Sequence, residues 1–178
     1  MMAIHGWMQT QCSWSNGSAY FLPPGSKDWS TKDPSGQNSG KAWYIVPPEQ
    51  EAKYPLPDNQ TADFAVATLE RLAREKKAGD TRPFFLAVGF HKPHLPFVAS
   101  KQFFDHYPPT AIQLPPDHEM PPKDMPAVAW SSYGELRAYA DQVKLKATGA
   151  PGTKLPDDDV LALRRAYYAA VSQVRAQC

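Results

Sequence analysis

Phe84-Phe85-Leu86-Ala87-Val88-Gly89-Phe90-His91-Lys92-Pro93-His94-Leu95-Pro96-Phe97 is the stretch whose reading decides the fold. Its first seven residues are apolar without interruption, the pattern of a strand covered on both faces in a parallel α/β sheet. The run then breaks into a loop holding two histidines and a lysine, braced by Pro93 and Pro96. Ligands of open α/β sheets settle beyond the carboxyl ends of strands. The sequence therefore predicts a core strand over 84–90 that hands polar side chains to a site.

Working outward from that strand, the preceding segment reads as a helix from about Asn59 to Lys77, with Asp58 as its N-cap. Ala62, Ala65, Val66, Leu69, Leu72 and Ala73 recur at three- and four-residue spacing and give it one apolar face. Glu70, Arg71, Arg74, Glu75, Lys76 and Lys77 fill the other face, with the basic residues late, as the helix dipole favours. Gly79 supplies a stop, and Pro83 leads into the strand. A helix, a short connection and an apolar strand make half of a βαβ unit, which predicts an α/β fold with a parallel or mixed sheet. No second strand of equal quality is visible, so the expectation is one core strand flanked by helices and long Pro-rich loops, part of a larger body.

The rest of the chain divides around this centre. Residues 1–57 are rich in turn-forming Ser, Gly, Asn and Pro and read as an irregular loop region held by aromatics. Residues 58–106 form the helix–strand–histidine core, with Ser100 capping a short helix through about His106. Residues 107–156 read as a Pro-rich surface wrap, with a short helix near 133–146. Residues 157–178 read as a last helix, opened by Asp157, Asp158 and Asp159 at its positive end and running into the terminus without a stop. Val160, Leu163, Tyr167, Ala170, Val171 and Val174 line one side of it, and Tyr167-Tyr168 reads as core packing.

Bulk properties exclude several partners. The 178 residues carry a formal net charge of +1, which offers no field for nucleic acid or an anionic membrane. No window approaches the apolar length of a membrane span, and the start shows no signal peptide. Cys12 and Cys178 form no CxxC pair. Asn16-Gly17-Ser18 and Asn59-Gln60-Thr61 fit the glycosylation pattern, which acts only in a secretory pathway.

The histidine loop is where chemistry is expected. His91 and His94 are three apart, but Pro93 between them argues against a shared helix face, and in an extended segment their rings point in opposite directions. A two-histidine metal site is therefore disfavoured. The alternatives are a histidine that caps the strand end, or Lys92 and one imidazole binding an anionic group, the imidazole giving a proton to a leaving oxygen. His5, His106 and His118 read as surface residues.

The segment Pro83 to Phe97 resembles the HKPH segment of the sulfatase family, in its iduronate-2-sulfatase-like branch. Leu56-Pro57-Asp58-Asn59-Gln60 with the following helix, Ser100-Lys101-Gln102-Phe103-Phe104, Tyr107-Pro108, and Tyr167-Tyr168-Ala169-Ala170-Val171-Ser172 resemble neighbouring family segments in the same order. Cys12-Ser13-Trp14-Ser15 resembles an upstream "YSWS" stretch. The resemblance implies part of an alkaline-phosphatase-like sandwich, all 178 residues lying in one sulfatase catalytic domain. It implies hydrolysis of sulfate esters, of sulfated glycans above all, by a formylglycine made from the cysteine of a CxPSR motif beside calcium. It gives His94 the sulfate-contacting catalytic role and allows Lys92 to bind substrate. By the same resemblance the compartment is the lysosome, the periplasm or the cell exterior.

The departures are equally specific. No CxPSR occurs in these residues, nor the paired aspartates or the "DHG" segment that hold the family's calcium. Asp157-Asp158-Asp159 is explained by helix opening and does not substitute for them. The expectation is an internal fragment, inactive alone, whose nucleophile and calcium ligands lie outside it. A non-catalytic sulfatase-like binding protein and a phosphoryl-transfer enzyme of the alkaline phosphatase superfamily stand as alternatives.

Overall fold

The computed structural model describes residues 40–116, 124–143 and 154–178. His5, Cys12 and its flanking Ser13-Trp14-Ser15, Asn16-Gly17-Ser18, His118, Pro121-Pro122 and residues 144–146 lie outside the described residues.

Two strands, β1 (Trp43–Val46) and β2 (Phe97–Ser100), pair in parallel, with Trp43 opposite Phe97 and Val46 opposite Ser100. Parallel neighbours need a long crossover. Here it runs through α1 (Pro48–Lys53) and α2 (Pro57–Lys77). The helix expected over 59–77 thus lies in the crossover between two parallel strands, and the chain is α/β.

Its strands are not where the apolar run placed them. Residues 84–90 join no ladder, and Phe84, Phe85 and Val88 are 50%, 80% and 42% exposed. A strand forms only where a neighbour offers complementary backbone groups. Among the described residues the sheet has two strands, and 84–90 pairs with neither. Residues 1–57 are likewise not irregular throughout, since β1 and α1 both lie in that stretch. Trp43-Tyr44-Ile45-Val46 is all β-branched or aromatic, but four residues are too few to stand out against their turn-rich flanks.

Period-2 alternation sends the sheet's side chains into two separate cores. On one face Val46 and Val98 pack with Leu56, flanked by Tyr44 and Tyr54. On the other, Ala99 packs with Phe104, Ala166 and Ala169, with Trp43, Ile45 and Phe97 alongside. Phe104 comes from α3 (Lys101–Asp105), and the alanines come from α5 (Asp157–Gln177). The sheet is therefore covered on both sides, as parallel sheets are.

The buried seam of α5 is Leu163, Ala166, Ala169, Ala170 and Gln173, whereas Tyr167 and Val171 are exposed. Small residues let the helix backbone approach the strands, so of the expected stripe Leu163 and Ala170 are buried while Tyr167 and Val171 turn toward solvent. Tyr167 keeps an edge-on contact with Phe97, ring centroids 5.5 Å apart. Arg165 fixes α3 to α5 by donating from its guanidinium to the Phe104 carbonyl at 3.2 Å, and from Nε to the Tyr107 carbonyl just beyond α3 at 2.6 Å.

Buried Gln173 ties three elements together. Its Oε1 accepts from the Ser100 amide at 2.9 Å, and its Nε2 donates to Asn59 Oδ1 at 3.1 Å. Ser100 sits at the N-cap position of α3, but its hydroxyl donates to Glu51 Oε1 at 2.7 Å rather than capping the helix. Asn59 lies inside α2 and also donates to Glu51 at 2.8 Å, so the carboxamide of the second glycosylation triplet is spent on internal bonds.

The short helix expected near 133–146 is split. A 3₁₀ turn, Leu136–Ala138, precedes α4 (Ala140–Val143), and Tyr139 between them is extended. Leu136 and Tyr139 are buried against Ala42 and Leu163, while Asp141 accepts the Ala42 amide at 3.0 and 3.1 Å. Tertiary packing at the start of β1 overrides helix propensity there. The described parts of 107–130 hold 3₁₀ turns at Pro109–Ala111 and Ala127–Ala129 as their regular structure. Among the described residues no helix is long and apolar enough to cross a membrane.

Candidate functional site

The histidine loop, residues 91–96, enters β2 rather than leaving a strand, so it sits at the amino end of its sheet strand. Its conformation follows from how its few amides are spent. The His94 amide closes a turn onto the His91 carbonyl at 3.1 Å. Pro93 and Pro96 have no N–H to give, and both of their peptide bonds, Lys92-Pro93 and Leu95-Pro96, are cis. The amides of His91 and Lys92 donate to the two carboxylate oxygens of Asp58, at 2.8 and 2.9 Å.

Asp58 was expected to cap α2 and does not. Leu56 holds the N-cap position, and Asp58 lies within the first turn, 5% exposed, its carboxylate turned to the loop. A buried charge needs donors, and the loop supplies them.

The turn also overturns the expectation that the two imidazoles diverge. Their ring centroids are 4.8 Å apart, because 91–94 folds back instead of extending. Burial, and then the positive charges of Lys92 and His94, hold His91 below the ordinary imidazole range.

His94 Nδ1 lies 2.7 Å from the Leu95 carbonyl. A carbonyl oxygen only accepts, so Nδ1 carries a proton and Nε2 is the nitrogen left to work. Nε2 is 3.5 Å from Glu135 Oε2, with both side chains about half exposed, 55% and 51%. Tyr139 donates from its hydroxyl to the other Glu135 oxygen at 3.4 Å. Burial first, and then the Glu135 charge, push the Tyr139 phenol well above its usual range.

Lys92 turns inward. Its ammonium donates to the carbonyls of His94, at 3.2 Å, and Pro96. Burial, opposed by the charges of Asp58 and Glu135, lowers its pKa from 10.5 to about 8. The sign of the linked stability is definite. The folded chain releases this proton near pH 8, whereas an unfolded lysine keeps it to about 10.4. Between those values the unfolded chain binds more protons, so stability rises with pH. Below pH 8 both states are protonated and the burial penalty stands in full. The stability of the wild type relative to Lys92→Met should therefore grow by on the order of 3 kcal/mol between pH 8 and 10.5, read by urea denaturation. A difference flat in pH would mean that the amine titrates alike in both states.

Sequence reasoning singled out His94 and Lys92, and the structure brings both into one loop with His91. It missed Glu135 and Tyr139, which lie in a stretch without periodicity, and it gave Asp58 a different partner. A concavity of about 360 Å³ opens elsewhere, lined by Glu51, Asn59, Asp63, Lys101 and Gln102 among others. No loop residue lines it.

Among the described residues no three His, Cys, Asp or Glu side chains converge to hold a metal. Asp157 instead pairs with Lys154 at 3.1 Å, and the Asp159 carboxyl is raised by burial and then by Asp141 and Asp158.

No family model matches the chain. It is 34% identical over 160 residues to the iduronate 2-sulfatase of Mus musculus, an alignment covering 88% of this chain and 28% of that protein. With the iduronate 2-sulfatase of Homo sapiens it shares 37% identity over 122 residues, covering 68% of this chain and 21% of that protein. A sulfatase of Formosa agariphila is 38% identical over 73 residues, 41% of this chain and 13% of its own length. A multifunctional alkaline phosphatase superfamily protein of Trinickia caryophylli aligns with 94% of the chain at 23% identity, over 30% of its own length. The chain thus spans about a quarter of the length of the iduronate 2-sulfatases it matches. With this similarity in hand, the chain belongs to the sulfatase family and is iduronate-2-sulfatase-like.

Proposed function

We propose that these residues are the histidine-loop part of the catalytic domain of a sulfuric ester hydrolase. In it His94 contacts the sulfate group, and Lys92 adds positive charge from behind the loop. One observation carries this reading: His94 Nδ1 is committed to the Leu95 carbonyl, and Nε2 already faces an oxyanion, the Glu135 carboxylate, at 3.5 Å. A sulfuryl group in transfer spreads negative charge over its oxygens, and a fixed cationic donor stabilises it. A protonated Nε2 can then give its proton to the leaving oxygen as the S–O bond breaks, so the alcohol departs neutral. Substrates are sulfate esters, sulfated glycans foremost, met in a lysosomal, periplasmic or extracellular setting. The formylglycine nucleophile and the calcium ion belong to sequence other than these 178 residues, and no step is drawn through either. The chain alone should leave an aryl sulfate intact.

A second reading, phosphoryl transfer, draws support from the similarity to the alkaline phosphatase superfamily protein. Following the His94 ring protons by NMR while sulfate or phosphate is added separates the two. A saturable response to sulfate supports the first reading and a response to phosphate alone the second. No response to either, or turnover of an aryl sulfate by the chain alone, overturns the assignment as proposed.

A further inference from the structure

We infer that Asp58 is a positioning residue for His94: through the backbone of His91 and Lys92 it holds the loop in the one turn that turns Nε2 outward. The inference rests on the sulfatase reading for its purpose, but its geometry stands independently.

The argument begins with burial. Asp58 is 5% exposed, and both of its oxygens accept from loop amides. Those two bonds cross 33 and 34 residues of sequence, so they bind the loop to α2 and not to its own neighbours. Among the described residues they are the bonds that the loop's first two amides make, and the His94 amide closes the turn on His91. With Pro93 and Pro96 offering none, the Leu95 amide is left by itself and forms no nest of successive amides for an anion. The side-chain anion donor that the loop presents is imidazole. Its direction depends on the turn, and the turn depends on Asp58.

Charge points the same way. The carboxylate lies close enough to Lys92 to favour its ammonium, which in turn holds the His94 and Pro96 carbonyls. One acidic group thus fixes the start of the loop through two amides and its end through the lysine. Neutral asparagine at position 58 has one oxygen and no charge, so it keeps one amide bond and loses the rest.

The test uses the 178-residue chain and two readouts. Hydrogen exchange of the His91 and Lys92 amides reports the clamp. Asp58→Asn should speed exchange of at least one of them by about tenfold or more, while amides at Ala169 and Ala170 in α5 stay unchanged. The response of His94 to added inorganic sulfate reports the consequence, and its midpoint should rise several-fold in Asp58→Asn. Amides as exposed in wild type as in the variant overturn the clamp, whatever sulfate does. A protected pair whose loss leaves the sulfate midpoint unmoved makes Asp58 merely structural and also overturns the inference. A wild-type His94 blind to sulfate, with both amides protected, instead removes the sulfatase reading and leaves the clamp. Should Asp58→Ala fail to fold, the isosteric Asp58→Asn and the wild-type exchange rates decide alone.

Discussion

His94→Ala in an active sulfatase that carries this segment should lower turnover of a sulfate ester by roughly 10²- to 10⁴-fold, the range for loss of a positioned acid–base group. The loss should fall on kcat more than on KM, because the proton is needed only as the leaving oxygen departs. Substrates with good leaving groups, such as nitrophenyl sulfate, should suffer least, since their oxygen needs no proton. Glu135 gives a control: Glu135→Gln keeps its size and its bond to Tyr139 but removes the charge facing Nε2, and should act far more mildly. Unchanged turnover in His94→Ala removes the catalytic assignment.

Phe104→Ala should cost about 3–5 kcal/mol of stability, as large-to-small changes of buried aromatics do. Phe104 is 1% exposed. Its ring lies 6.3 Å from that of Trp43 and under the Arg165 guanidinium, 5.3 Å away. It is the large fully buried side chain of a cluster whose other buried members are Ala99, Ala166 and Ala169, which are too small to fill the void. Folded domains hold only about 5–15 kcal/mol in reserve, so this one change should consume much of it. Urea denaturation reads the effect, and a cost below about 1 kcal/mol would mean that α5 does not pack on the sheet through this residue.

How far the sequence reached depends on what kind of force placed each element. The two long helices, α2 and α5, were legible because an apolar repeat and end charges are local signals. The strand was misplaced because hydrophobicity over 84–90 tells what those residues would bury against, not whether a neighbouring ladder is there. β1 escaped notice for the opposite reason, being short and set among turn residues. In the candidate site, His94 and Lys92 stood out as polar groups at the end of an apolar run, and the role proposed for His94 comes from the family resemblance. The partners of the loop did not stand out. Asp58 follows Pro57 at the start of a helix, where a cap is the ordinary explanation, and only its burial shows that it serves residues 91 and 92. Glu135 reaches His94 across 41 positions of chain, from a stretch expected as one short helix that is broken at Tyr139.

The central claim is met most directly by a crystal structure of a sulfatase containing this segment with sulfate or a sulfate ester bound. Nε2 of His94 should stand within about 3 Å of a sulfate oxygen, with Nδ1 still on the Leu95 carbonyl and Asp58 still holding the amides of His91 and Lys92. An anion seated out of reach of residue 94, with the loop unchanged, would contradict the account.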